Sequence, residues 1–228
     1  GLSFEGKMML GVLVCAIVLW LTEALPYSIS GLLIMVLQPL LIPGIDADEV
    51  FASFGNSAVF FLLGAFIMAA AIEKYDLHKL AALRLLRMFG RSGSVFVLGI
   101  MLSGALLTFI MPEHGVVALL IPIIVYILIE LGCRPLESNF GKASVIGVTF
   151  GCSIGSLGTM IGGARNPLTV GFLQTEGMSV SFLYWTVISM PVVFLTIPLV
   201  WVVLVSIFPP EDVDLGALTK LLSEQVRK

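Results

Sequence analysis

Long apolar runs separated by short polar breaks dominate the chain. The runs are Met8–Leu21, Ile29–Ile42, Ser57–Ile72, Val95–Met111, Val116–Gly132, Ala143–Ile161, Leu168–Leu173 and Phe182–Phe208. Apolar stretches near ~20 residues predict helices that cross a bilayer, and a shorter one such as Ile29–Ile42 needs its flanks to complete the crossing. Gly1–Lys7 adds a turn to the first run, which ends at Trp20 before Thr22-Glu23-Ala24-Leu25-Pro26. Pro43-Gly44-Ile45-Asp46-Ala47-Asp48-Glu49 predicts a turn-rich acidic loop, within a non-basic connection 43–56 that enters the third run through Phe54-Gly55-Asn56. Glu73–Arg91 has a different pattern: Leu77, Leu80, Ala81, Leu85 and Met88 can share a helical face, with Lys74, Lys79, Arg84, Arg87 and Arg91 in reach of headgroups. That pattern predicts an amphipathic helix along the membrane interface.

Two breaks carry chemistry as well as helix-stopping residues. The first is Thr108-Phe109-Ile110-Met111-Pro112-Glu113-His114-Gly115; the second is Gly162-Gly163-Ala164-Arg165-Asn166-Pro167. Free peptide groups are costly in hydrocarbon, so unwound backbone at depth is expected only where it packs in protein or lines a cavity. An ionisable side chain at that depth points to a functional site. Together the breaks predict two facing elements that form half of a transporter site.

Composition agrees with a membrane protein: of 228 residues, 58% are hydrophobic and only 12% charged, against about 25% charged in soluble domains. The net charge of −3 identifies no partner and suggests no nucleic acid. Cys15, Cys133 and Cys152 have no metal-ligand or disulfide spacing. The first apolar run lacks a small-residue cleavage site after it, so it reads as a retained helix. Charge placement sets orientation. Basic residues concentrate in 73–91, at Arg134 and Lys142, and at Lys220, Arg227 and Lys228, whereas 43–56 and 174–181 have none. Alternate threading puts every basic segment on one side, the cytoplasmic one, and the C-terminus with them. Lys7 alone falls outside. The arms around Pro112, about 17 residues each, fit two full spans or a hairpin that enters and leaves on the cytoplasmic side.

The order of features resembles the divalent anion/sodium symporter family, which carries dicarboxylates, citrate and sulfate. The likeness rests on Trp20-Leu21-Thr22-Glu23-Ala24-Leu25-Pro26, on Phe51–Ser57 running through Phe60–Phe66, and on Cys152-Ser153-Ile154-Gly155-Ser156-Leu157-Gly158-Thr159-Met160-Ile161-Gly162. It implies an all-α polytopic protein with about five crossings, one re-entrant hairpin and a broken helix. It favours the hairpin over two full spans. It further implies that the chain holds the first of two inverted repeats, that the second repeat supplies the other half of the site, and that the assembly is an elevator-type homodimer. The implied division is 1–92 for scaffold and interfacial helix, 93–208 for the moving half and 209–228 for a cytoplasmic tail. A bacterial inner membrane or another plasma membrane is the implied setting. The tips depart from the family: Pro112-Glu113-His114 stands for Ser-Asn-Thr, and Gly162-Gly163-Ala164-Arg165-Asn166 for Gly-(Ser/Thr)-Pro-Pro-Asn.

The substrate-binding candidates are Glu113, His114, Gly163 and Arg165. Thr108, Pro112, Gly162 and Asn166 belong to the cation site or the helix breaks. Arg165 stays charged at any depth. It either forms an ion pair or interfacial anchor, or its fork holds an anion beside the N-terminus of the following helix. A guanidinium there could also stand in for a sodium ion. Glu113 is either its neutralising partner or a proton carrier, and His114 is either pH-sensitive or a cap. His78 reads as surface. Asn166 reads as a cap of the helix that Pro167 begins, and Gly155 and Gly158 as close-packing positions. No nucleophile, paired acid or phosphate loop suggests an enzyme. No metal or organic cofactor is implied, and coupling by Na+ or H+ stays open. The reading is a secondary transporter of small anions, dicarboxylate or sulfate, with an anion channel or a non-transporting subunit as the alternative.

Overall fold

The computed structural model describes residues 1–75, 77–89 and 92–211. The tail from 212 onward, Arg91, and the side chains of Leu77, His78, Lys79 and Leu80 lie outside the described residues. Those described are helical, without strands. Among the described residues, four helices are long and apolar enough to cross a membrane, or five if Ala47–Gly55 and Ser57–Ile72 count as one bent span.

Contacts divide the chain into two units, 1–60 and 61–228. In the first, α1 (Phe4–Thr22) starts at Ser3, whose hydroxyl accepts the Gly6 N–H, and α2 (Tyr27–Leu41) packs against it. The expected loop at 43–56 is not all loop. It holds α3 (Ala47–Ala52) and a 3₁₀ turn, Ser53–Gly55. The cause is local: Asp46 accepts the Asp48 N–H as an N-cap, and Asp48 and Glu49 lie in the first turn, where acidic groups favour a helix.

Helix α4 (Ser57–Lys74) leads into the second unit. There α5 (Leu77–Met88) packs against α6 (Gly93–Thr108). Its buried positions are Ala82, Leu83 and Leu86, while Met88 is exposed. The inner face is therefore rotated from the stripe expected through Leu77, Ala81 and Met88. Arg84 and Arg87 are exposed.

Helices α6, α7 (Glu113–Glu130), α8 (Asn139–Gly155) and α10 (Phe182–Ile207) form the core. Closest of all is the packing of α6 on α8, because α8 presents glycine at 147, 151 and 155, one per turn of one face. A Cβ at Gly151 would stand 2.5 Å from the Met101 backbone, and one at Gly155 only 2.2 Å from the Ala105 Cα. Small residues permit such approach where helices associate by packing rather than by the hydrophobic effect. Along α10, the Trp201 indole donates to the Ser94 carbonyl at 2.8 Å and the Trp185 indole to that of Leu157 at 3.0 Å. The start of α6 thus lies beside the end of α10, and the end of α8 beside its beginning.

Candidate functional site

Helix α6 stops at Thr108 and the chain turns through Phe109 and Ile110 to Pro112, which caps α7. Proline suits that position, since the first turn of a helix leaves its N–H groups unpaired in any case. Helix α8 runs into a 3₁₀ turn, Ser156–Gly158, and an open stretch before α9 (Arg165–Thr175). The two breaks are brought together. The Glu113 N–H donates to the Gly162 carbonyl at 2.9 Å, and the Thr159 hydroxyl donates to the Phe109 carbonyl at 3.0 Å while accepting the Gly162 N–H at 3.2 Å.

An ion pair closes the junction. Arg165 Nη1 and Nη2 donate to Glu113 Oε1 and Oε2, each at 3.0 Å, in a bidentate fork. Nη2 also donates to Ser156 Oγ at 2.6 Å and to the Ser153 carbonyl at 3.4 Å. The single Ser156 proton has two acceptors, Glu113 Oε2 at 2.7 Å and the Ser153 carbonyl at 2.8 Å. The Glu113 side chain is only 13% exposed and that of Arg165 is 50%. The pair therefore has a protein side and an open side. Among the described residues the Arg165 Nε–H and second Nη1–H have no partner, and this half-exposed guanidinium can offer them to an anion. Helices α7 and α9 both begin here, so their positive ends converge on the same place.

Residues 17–223 match the family described as citrate transporter. The chain belongs to the citrate transporter family. Among its relatives are two described as sodium-dependent dicarboxylate transporter SdcS. That of Staphylococcus saprophyticus is 32% identical over 211 residues, covering 88% of this chain and 40% of the relative. That of Staphylococcus aureus is 31% identical over 214 residues, covering 89% and 40%. The chain thus spans about 40% of the length of the curated relatives it matches. This agrees with the resemblance to divalent anion/sodium symporters and with a half-repeat.

Within this member of the family, the predicted site residues are placed unequally. Glu113, Arg165, Gly162 and Pro112 meet at the junction. His114 adjoins it, with Nδ1 3.9 Å from Glu113 Oε1, but its side chain is 92% exposed. Gly163 is buried beside Arg165 and a Cβ there would be 3.6 Å from the nearest side-chain atom, an ordinary contact. The Thr108 hydroxyl is buried and donates to the Ala105 carbonyl of its own helix at 2.8 Å. The sequence reading of Asn166 as the cap of this helix is corrected: Asn166 lies inside α9. The helix begins two residues earlier, at Arg165 with Ala164 at the cap position, and the buried Asn166 Nδ2 instead donates to the Ser156 and Thr159 carbonyls, each at 2.7 Å. It ties α9 to the 3₁₀ turn.

Ser156 and Thr159 were not singled out from sequence as site residues. Both lie in the stretch that carries the family resemblance, and their signal was two hydroxyls close to a helix break. Among the described residues, no group of three or more His, Cys, Asp or Glu side chains is disposed to hold a metal.

Proposed function

We propose that this chain supplies half of the substrate site of a secondary transporter of small di- or tricarboxylate anions. The observation that carries the reading is the meeting of two helix N-termini, α7 and α9, around a half-exposed guanidinium. Membership of the citrate transporter family and the description of the relatives support the substrate class. Arg165 holds the two breaks together through Glu113 and turns its remaining donors to an anion; Gly163 and His114 border that anion. A second inverted repeat completes the site, and residues 93–208 move as an elevator against the scaffold of a homodimer, with the C-terminus in the cytoplasm.

The permanent cation also takes over a task otherwise done by a bound sodium ion, neutralising substrate charge and bridging the two tips. Anion binding then depends little on sodium through this half, whichever of Na+ or H+ couples the complete transporter. The test is dicarboxylate uptake by the whole transporter with sodium replaced by choline, in wild type and Arg165→Lys. Expected are modest loss in choline and roughly tenfold weaker anion binding in Arg165→Lys, since a point charge cannot form the fork. Strong sodium dependence with a normal Arg165→Lys would leave Arg165 as a structural ion-pair residue. No saturable uptake of any di- or tricarboxylate by the whole transporter would overturn the substrate class.

A further inference from the structure

A cavity stands apart from the paired tips. It has a volume of about 390 Å³ and lies between α7 and the opposite end of α8, closed at one side by their connecting loop. Its walls are apolar: Leu128 and Ile129 come from α7, Val145 and Ile146 from α8. Among the described residues, the charged side chains in its lining are Arg134 and Lys142, both basic. At 1.5 Å per residue, Lys142 lies about 16 Å along α8 from Ser153 at the paired tips, so this cavity is not part of that site.

The two cations are available to a ligand in different ways. Lys142 is half-buried on the same helical face as Val145 and Ile146, and its ammonium has no partner among the described residues. Arg134 faces Glu137 at 3.5 Å, but both side chains are largely exposed, at 81% and 69%. Such a pair is weak and exchangeable. The nearby Glu211 is already engaged: it accepts the N–H groups of Asn139 and Phe140 at 2.6 and 2.8 Å and the Ser138 hydroxyl at 3.1 Å. Glu130, at the end of α7, lies outside the lining.

We propose that this cavity binds an anionic phospholipid. One acyl chain lies between α7 and α8, and the phosphate rests between Arg134 and Lys142. Apolar walls with basic residues at the ends of membrane helices are the chemistry that selects an acidic headgroup over a zwitterionic one. A free anion would find the two cations but nothing for the apolar walls. A neutral lipid would fill the walls and leave the half-buried Lys142 without a counter-charge.

The experiment is lipid retention by the purified full chain in detergent, read by native mass spectrometry during titration with phosphatidylglycerol or phosphatidylcholine. The expected result is one tightly held phosphatidylglycerol, preferred at least tenfold over phosphatidylcholine. Arg134→Gln with Lys142→Gln should bring that preference close to one without changing the melting temperature by more than a few degrees. Val145→Trp, which fills the cavity while leaving both cations, should reduce retention of either lipid. Should the double variant be unstable, Val145→Trp and the lipid preference of wild type still decide. Equal retention of the two lipids by wild type would overturn the proposal, since the cavity would then hold bulk lipid without selection. Displacement of phosphatidylglycerol by millimolar inorganic phosphate would do so as well, as would disulfide cross-linking of two copies through Cys133 in lipid.

Discussion

At the scale of single residues, the junction of the two breaks is held by a charge pair that is neither fully buried nor free in solvent. Fully exposed pairs contribute little, and a fully buried pair must overcome a large desolvation cost. Glu113 and Arg165 lie between these limits, with a two-bond fork and a serine hydroxyl on the inner side. A double-mutant cycle of Glu113→Gln and Arg165→Gln should therefore give a coupling of about 1–3 kcal/mol in unfolding free energy. Strictly additive effects would mean that the tips are held by the Glu113–Gly162 and Thr159–Phe109 hydrogen bonds alone. Glycine provides a second contrast. Gly155→Ala forces a Cβ to 2.2 Å from the Ala105 Cα, and Gly163→Ala meets nothing closer than 3.6 Å. The first should cost about 1–3 kcal/mol by overpacking. The second should leave the melting temperature in detergent almost unchanged.

Among the elements, α8 carries the most. Its glycine face receives α6, its C-terminal turn reaches the paired tips, and its N-terminus is capped from a distance. Ser138 accepts the Gly141 N–H, and the Glu211 carboxylate, beyond the end of α10, takes the N–H groups of Asn139 and Phe140. Partial burial pushes the Glu211 carboxyl up, but these hydrogen bonds together outweigh it and hold the carboxyl below its ordinary range. A depressed folded value means that the stabilisation is present above the ordinary carboxylate range and is lost as pH falls through the folded value. Amide exchange at Asn139 and Phe140 should therefore show an extra loss of protection on acidification, below the ordinary carboxylate range. Glu211→Gln should remove that acid-dependent step. An unchanged profile in the variant would assign the cap to Ser138 alone.

For the molecule as a whole, the depth of the hairpin decides what kind of protein this is. At 1.5 Å per residue its arms, α6 and α7, are about 24 and 27 Å long, slightly less than the ~30 Å of a bilayer core. The tip packs on the 3₁₀ turn near Trp185 and Met190 of α10, while the start of α6 meets the other end of that helix at Trp201. The first arm, α6, thus runs along much of α10, and the tip lies toward the side opposite its base. A re-entrant hairpin would place Gly115 below the outer surface. Gly115→Cys, with the natural cysteines replaced, should react with impermeant thiol reagents from outside at least ten times more slowly than a cysteine in loop 43–56. Equal rates would mean two complete spans. Either outcome is compatible with the basic side being cytoplasmic, because both return the chain to the same face.

Much of this architecture follows from local sequence. Apolar run lengths specify the membrane helices, and Pro112, Gly162 and Pro167 mark the breaks, because helix length and termination depend on nearest neighbours along the chain. The pairing of Glu113 with Arg165 was already one of the two readings open to sequence, since a cation near hydrocarbon calls for a neutralising group. Sequence could not show that Ser156 completes the pair, or that Thr159 and Asn166 spend their hydrogen bonds on backbone carbonyls. Nor could it show that the fork of Arg165 is already taken by a carboxylate 52 positions away. Hydroxyls in an apolar helix give no local sign of their partners, and α5 turns the Ala82–Leu86 face inward only because α6 offers a surface for it. Those assignments depend on which distant segments come within hydrogen-bonding or van der Waals reach, and that is decided by packing.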